Sequence, residues 1–261
     1  GIMQIDASKT EVVIRVADFT AAYDGEVLME NISFEVRRGE VFVILGGSGC
    51  GKSTLMKHMI GLYKPAAGRI LINGRDITCA VGAERREILS CLGVMYQGGA
   101  LFGSMTLLEN VRLPLEEFTA LPPEAMNGIA AMKLSLVGLG GALHQIPAEI
   151  SGGMQKRAAI ARAMALDPDV LFLDEPSAGL DPITSAGLDR LVLSLSRNLG
   201  MTFVIVSHEL PSIEAIADRV IMLDRRARKI VASGKPADLR RDSENAWVRQ
   251  FFSRQPSPDG L

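Results

Sequence analysis

Val41-Phe42-Val43-Ile44-Leu45 runs without a polar break into Gly46-Gly47-Ser48-Gly49-Cys50-Gly51-Lys52-Ser53, and a helical pattern follows from Lys52 to about Ile60. An unbroken apolar run of this length is the pattern of a strand covered on both faces, as in a parallel sheet. A glycine-rich turn between such a strand and a helix lets backbone N–H groups converge on a phosphate, and the helix contributes its positive N-terminal end. In the spacing G-x-x-x-x-G-K-[ST], Lys52 is placed to reach the β- and γ-phosphates and the Ser53 hydroxyl to ligate Mg²⁺. The bland alternative is a strand-to-helix turn with no ligand. Its position after a buried strand and before a helix favours the phosphate loop.

Upstream, Val12, Ile14 and Val16, then Ile32, Phe34 and Val36, alternate with polar neighbours around an Asp24-Gly25 turn signal. Downstream, Gly61 and Pro65 close the helix, and Ile70-Leu71-Ile72 enters an Asn73-Gly74 turn, another hairpin signal. Between Gln97 and Ser151 the strand patterns stop, and Thr106-Leu107-Leu108-Glu109 has capping-box spacing, so this stretch reads as a helical insert. Alternation then resumes: residues 154–166 helical, 170–173 strand, Pro182–Leu199 helical between an Asp181 N-cap and Gly200, and 203–206 strand. The fold class expected is α/β with a helical insertion.

Composition narrows the class. The 261 residues carry 28 Lys+Arg against 30 Asp+Glu, a net charge of -2, which argues against a dedicated nucleic-acid surface. At 48% hydrophobic the chain is no disordered segment. Three cysteines (Cys50, Cys79, Cys91), odd in number and without CxxC spacing, point away from a disulfide framework and a zinc cluster and toward a reducing, cytoplasmic compartment. No apolar run approaches the ~20 residues of a membrane span, and Gly1 to Asp6 do not read as a signal peptide. The aliphatic excess asks for a sheet buried on both faces, a partner surface, or both.

Two more stretches carry chemistry. Val170-Leu171-Phe172-Leu173 ends in Asp174-Glu175. A buried strand delivers Asp174 to its C-terminal tip, where it can hold Mg²⁺, and sets Glu175 next along to polarise an attacking water. Ile150-Ser151-Gly152-Gly153-Met154-Gln155 heads a helix. A Ser N-cap followed by two glycines is either a second anion site or a plain helix cap. If it is an anion site, two copies of the chain would share it, each closing over the other's ATP.

In this order the three elements resemble the Walker A, signature and Walker B motifs of the ATP-binding cassette (ABC) ATPases. The resemblance implies a RecA-like parallel-sheet core with an antiparallel β subdomain and an inserted α-helical subdomain. Its parts would be 1–96 and 156–235 for the core, 97–155 for the helical subdomain and 236–261 for a C-terminal extension. It further implies that Tyr23 stacks on adenine, unless it is ordinary hairpin packing. Gly46, Gly47, Ser48, Gly49, Cys50, Gly51, Lys52, Ser53 and Thr54 would surround the phosphates. Gln97 matches the Q-loop glutamine, Ser177-Ala178-Gly179-Leu180-Asp181 the D-loop, and His208 the switch histidine. Catalysis would fall to Glu175, His208 and Lys52, Mg²⁺ to Ser53, Gln97 and Asp174, and the nucleotide also to Ser151, Gly152, Gly153 and Asp181. Met154 departs from the usual Gln of the signature.

The wording Tyr96-Gln97-Gly98-Gly99-Ala100-Leu101-Phe102, Asn110-Val111-Arg112-Leu113-Pro114-Leu115 and Pro147-Ala148-Glu149-Ile150-Ser151-Gly152-Gly153-Met154 is similar to the MlaF-type ATPases of the Mla/Mce lipid-transport systems, where Met154 is usual. This likeness implies a homodimer, ATP and Mg²⁺ as cofactors, and no nucleic acid. It places the pair at the cytoplasmic face of the inner membrane, attached only through an MlaE-like permease, with MCE-domain and STAS-domain subunits. Leu101, Phe102 and Met105 would meet the permease or form subdomain core. The stretch from Trp247 to Phe252 would clasp the opposite protomer. The competing expectation is an importer ATPase for amino acids or another small solute. Readings as an SMC-type DNA ATPase or a two-cassette translation factor are disfavoured, because no heptad run separates Lys52 from Ser151 and the sequence shows one phosphate-loop motif.

Overall fold

The chain opens with a hairpin: β1 (Val12–Tyr23) and β2 (Glu26–Arg37) pair antiparallel with Tyr23 opposite Glu26, leaving Asp24 and Gly25 to turn the chain. Both turn residues have positive φ (48° and 79°), the twist-matched two-residue geometry. In this computed structural model, residues 11–46, 51–242 and 244–253 are described. β3 (Val41–Gly46) is buried at every position, and α1 (Lys52–Met59) follows. A second hairpin, β4 (Ala67–Ile72) with β5 (Arg75–Asp76), turns at Asn73-Gly74. Next come α2 (Gly82–Leu89), β6 (Leu92–Met95), α3 (Leu107–Phe118) and α4 (Pro123–Leu136). The chain continues through α5 (Gly152–Ala163), β7 (Val170–Asp174), α6 (Pro182–Leu199), β8 (Thr202–Ser207) and α7 (Leu210–Ile216). It closes with β9 (Arg219–Asp224), β10 (Lys229–Gly234), α8 (Pro236–Asp242) and α9 (Ala246–Ser253).

Two sheets result, β2-β1-β4-β5, antiparallel throughout, and β10-β9-β3-β8-β7-β6, parallel except for β10. The unbroken apolar runs of β3, β7 and β8 follow from burial on both faces. Phe42, Ile44, Val170, Phe172, Val204 and Val206 face α1 and the antiparallel sheet. Val41, Val43, Leu45, Leu171, Leu173, Phe203 and Ile205 face the layer of α3 to α7. The expected α/β architecture is therefore present, with its helical insert, and the alternation is the pleat of one sheet between two cores.

The elements match the sequence reading closely, with two differences. The helix expected over residues 154–166 begins at Gly152, because Ser151 Oγ accepts from Met154 N (3.2 Å) and draws both glycines into the first turn. A boundary at residue 155 thus falls inside α5. The second concerns the segment from Trp247 to Phe252, expected as a clasp on a second protomer. It forms most of α9, whose Val248 and Phe252 are fully buried in the chain's own core. Arg240 Nε donates to Phe252 O (3.1 Å), and Arg240 also pairs with Glu214 of α7. The stretch Gln255-Pro256-Ser257-Pro258, expected to fray, lies outside the described residues. Among those described, Cys79 and Cys91 are free thiols, and no helix is long and apolar enough to cross a membrane.

Candidate nucleotide-binding site

All five parallel strands end on one edge of the sheet. Register places Gly46 beside Leu223, Leu45 beside Ser207, Val206 beside Asp174 and Leu173 beside Met95. The segment after Gly46, then His208, Glu175 and Gln97, consequently emerges along one line, at the carboxyl ends where α/β sheets take their ligands. Gly47, Ser48, Gly49 and Cys50 lie outside the described residues. Gly51 is at φ +93°, a backbone conformation that strains any residue with a Cβ, so the position before α1 favours glycine. A cleft of about 410 Å³ opens here between Gly51, Lys52, Ser53 and Thr54 on one side and Glu26, Val27 and Leu28 on the other, with Arg225 and Arg228 also on its wall. A larger groove of about 590 Å³, around Leu62, Tyr63 and Val81, holds none of the expected site residues.

Three of those residues converge on one oxygen. Glu175 Oε1 lies 2.8 Å from Lys52 Nζ and 2.9 Å from His208 Nδ1, and Lys52 Nζ also donates to Gly46 O (3.2 Å). Glu175 has φ 47°, in the left-handed region, and is held there by its N–H donating to Val206 O (2.9 Å). A buried non-glycine residue so placed is a local strain of the kind found at functional sites. Its second oxygen, Oε2, is buried with no hydrogen-bond partner.

Asp174 is likewise buried, with Oδ1 unpartnered. Burial, and then the neighbouring Glu175, hold its carboxyl above the usual range, against the pull of Lys52, Lys57 and Lys156. Lys156 is itself buried, and desolvation draws its ammonium down while Asp174 supports the charge. Sequence reasoning missed Lys156, since a Lys in a helix following a cap reads as surface. A buried carboxylate oxygen without a partner, in the field of Lys52, suits a hard cation completed by phosphate and water. Among the described residues no cluster of three His, Cys, Asp or Glu stands together as a metal cage. The residues present fit Mg²⁺.

Other expected residues stand apart. Tyr23 ends β1, directly opposite Glu26 of the cleft, and is 71% exposed. Gln97 is exposed two residues beyond β6. Ser151, Gly152 and Gly153 line no part of the cleft among the described residues. Ser151 caps α5, and a Cβ on Gly153 would stand 2.5 Å from Thr184 Cγ2, so that glycine lets α5 approach the start of α6. Asp181 caps α6, accepting from Ile183 N (3.0 Å), Thr184 N (2.9 Å) and Thr184 Oγ1 (2.6 Å), bonds that lower its pKa. Within one chain Ser151, Gly152, Gly153 and Asp181 therefore stand apart from the cleft.

The loop after Gln97 is braced from two elements. Arg162, on α5, donates to Gly99 O (2.8 Å) and Ala100 O (3.0 Å), across a run of positive φ at Gly98, Gly99 and Ala100. Asn110, fully buried on α3, accepts from Phe102 N (2.8 Å) and donates to Phe102 O, Met105 O and Thr106 O (3.1, 3.2 and 3.0 Å). Leu101 packs against the core, whereas Phe102 is 54% exposed. Of the apolar surface expected here, Phe102 is the part that faces outward.

The ABC transporter family profile matches residues 29–178. The chain is 40% identical over 251 residues (96% of this chain, 72% of the relative) to the probable ribonucleotide transport ATP-binding protein mkl of Mycobacterium leprae. It is 39% identical over 240 residues (92% and 88%) to the intermembrane phospholipid transport system ATP-binding protein MlaF of Escherichia coli K12. Its fold superposes with a TM-score of 0.75, at 28% identity, on the dimeric post-hydrolysis structure of the ATP-binding cassette MJ0796 bound to ADP and Pi, covering 85% of this chain and 98% of that one.

Proposed function

We propose that this chain, which belongs to the ABC transporter family, is the ATP-hydrolysing subunit of a phospholipid transporter of the bacterial envelope. It works as a head-to-tail pair beneath a separate membrane permease. The observation that carries the hydrolytic part is the meeting of Lys52 and His208 on Glu175 Oε1, beside a buried Asp174 with a free oxygen.

Each residue has a task that follows from its charge and place. The N–H groups at the start of α1 and the Lys52 ammonium bind phosphate, and an incoming phosphate competes with Glu175 for Lys52. Glu175, released from that ammonium, accepts a proton from the attacking water, while His208 holds the carboxylate and faces the γ-phosphate. Ser53, Asp174 and Gln97 would hold Mg²⁺, which supplies charge neutralisation on the phosphate oxygens. Tyr23 flanks the base. Ser151, Gly152, Gly153 and Asp181 lie outside the lining of their own chain's cleft, and in this reading they serve the site of a second copy, closing it against water. Arg162 and Asn110 brace the loop that carries Phe102 toward the permease.

The lipid assignment draws on the likeness to MlaF and on the Gln97–Leu115 wording. On this reading the pair works at the cytoplasmic face of the inner membrane on an MlaE-like permease, with MCE-domain and STAS-domain subunits. The test is purification of the tagged chain with its permease from native membranes, followed by reconstitution in liposomes. ATP-dependent transfer of labelled phospholipid, lost in Glu175→Gln, supports the reading. Uptake of ribonucleotide or another small solute without lipid transfer overturns it. The shared site has its own test: Ser151→Arg should retain nucleotide affinity while losing the ATP-driven dimer in size-exclusion chromatography.

A further inference from the structure

The turn between β9 and β10 reads Arg225-Arg226-Ala227-Arg228-Lys229, four cations in five positions, and the reading above gives it no task. Its backbone is tied down: Arg228 N donates to Asp224 O (2.8 Å), Arg226 N to Asp224 Oδ1 (3.1 Å), and Glu30 N of β2 to Arg228 O (2.9 Å). Because β9 runs parallel to β3 with Leu223 opposite Gly46, this turn emerges at the carboxyl edge of the sheet, one strand from the phosphate loop. Arg225 and Arg228 line the same cleft as Lys52, Ser53 and Thr54, and Arg226, between them, does not. Both are exposed, and neither has a carboxylate at ion-pair distance among the described residues. The described lining thus holds three cations against one carboxylate, Glu26.

Resting on the reading that this cleft takes ATP, we infer that Arg225 and Arg228 are nucleotide-binding residues that clamp phosphate oxygens of the nucleotide held in their own subunit. The guanidinium fork matches two phosphate oxygens, and both arginines share the wall with the α1 N-terminus, where the phosphates bind. Val27 and Leu28, the apolar part of the cleft, are left to the nucleoside.

The experiment is titration of the full chain with MgADP and, separately, with adenosine, at low and high salt, for the wild type, Arg225→Gln/Arg228→Gln and Arg226→Gln. The double variant should bind MgADP about five- to tenfold more weakly at low salt, with a flatter salt dependence. Adenosine affinity and thermal stability should stay unchanged, and Arg226→Gln, which removes one charge from the same turn outside the cleft, should match the wild type. An unchanged double variant overturns the clamp. So does an equal loss in Arg226→Gln, which indicates a diffuse field, or an equal loss for adenosine, which indicates contact with the base. A wild-type chain that binds no MgADP overturns the nucleotide reading itself, and the clamp with it.

Discussion

Lys52 Nζ lies 2.8 Å from Glu175 Oε1, although Lys52 opens the helix after β3 and Glu175 follows a different strand, β7. Both side chains are nearly buried, so the pair is little screened by solvent, and each partner offsets the other's desolvation. The ammonium that would hold phosphate and the carboxylate that would take a proton from water are thereby kept together by one contact. Whatever binds Lys52 more strongly frees Glu175 to act.

Glu175→Gln keeps the shape of the site and removes the base. Nucleotide binding should persist, because Lys52 loses a competitor for phosphate, while steady-state phosphate release falls by on the order of 10²–10⁴. Measuring both MgATP affinity and turnover separates the roles. A variant that turns over normally removes Glu175 from its assigned task, and one that no longer binds MgATP assigns it to binding instead.

Asp174 makes stability and activity move in opposite directions with pH. Its carboxyl is held above the usual range, first by burial and then by Glu175. A carboxyl that binds its proton more readily folded than unfolded adds stability as pH falls through the window between the raised value and the ordinary carboxylate range. Mg²⁺ binding needs the ionised form and weakens over that same descent. Asp174→Asn should therefore raise Tm at neutral pH while abolishing Mg²⁺-dependent hydrolysis. Thermal melts across pH provide the check, and a lowered Tm would contradict the account.

Much of this was legible in the residues themselves. The run Val41-Phe42-Val43-Ile44-Leu45 reports burial on both faces because each residue lies in one of two cores, and Asp24-Gly25 reports a two-residue turn because both sites take positive φ. Asp174 and Glu175 announce themselves by standing at the end of a buried strand, and Lys52 by following a glycine-rich turn after another, so parallel pairing of β3, β8 and β7 brings them to one edge. What did not show is whatever depends on distant register. Arg228 reaches the cleft because β9 lies beside β3, far off in sequence. Lys156 is buried because α5 packs on the sheet. The burial of Phe252 was hidden for a similar reason, since a short amphipathic tail can seat its apolar face on its own core or on another copy's.

Asn110 offers a test of the brace beneath Phe102. Its fully buried amide makes four hydrogen bonds to the backbone of residues 102–106. Asn110→Ala removes the side-chain partner of Phe102 N and Met105 O, while Phe102 O keeps Met105 N and Thr106 O keeps the N–H of residue 110; with the small cavity it opens, the cost is about 2–3 kcal/mol in urea unfolding. Proteolysis should accelerate at this loop, and the variant should bind its permease less well while nucleotide affinity holds. Equal losses of both binding activities would point to global unfolding rather than to a loosened docking loop.

Phe252 decides how the C-terminal helix is used. The ring is fully buried with Val248 against the chain's own core, edge-on to Phe251, and Arg240 fastens the carbonyl of the same residue. Phe252→Ala should then cost about 3–5 kcal/mol of stability in the subunit itself, the usual loss for a buried aromatic ring. Because the contact is internal, the drop in Tm should be the same at dilute and concentrated protein. Trp247→Ala, at a side chain still 36% exposed, should shift Tm far less. A loss that shrinks as protein concentration rises would show instead that α9 docks on a second copy. In that case the helix is a dimer clasp after all, and the intramolecular seat of Phe252 is not the one used in solution.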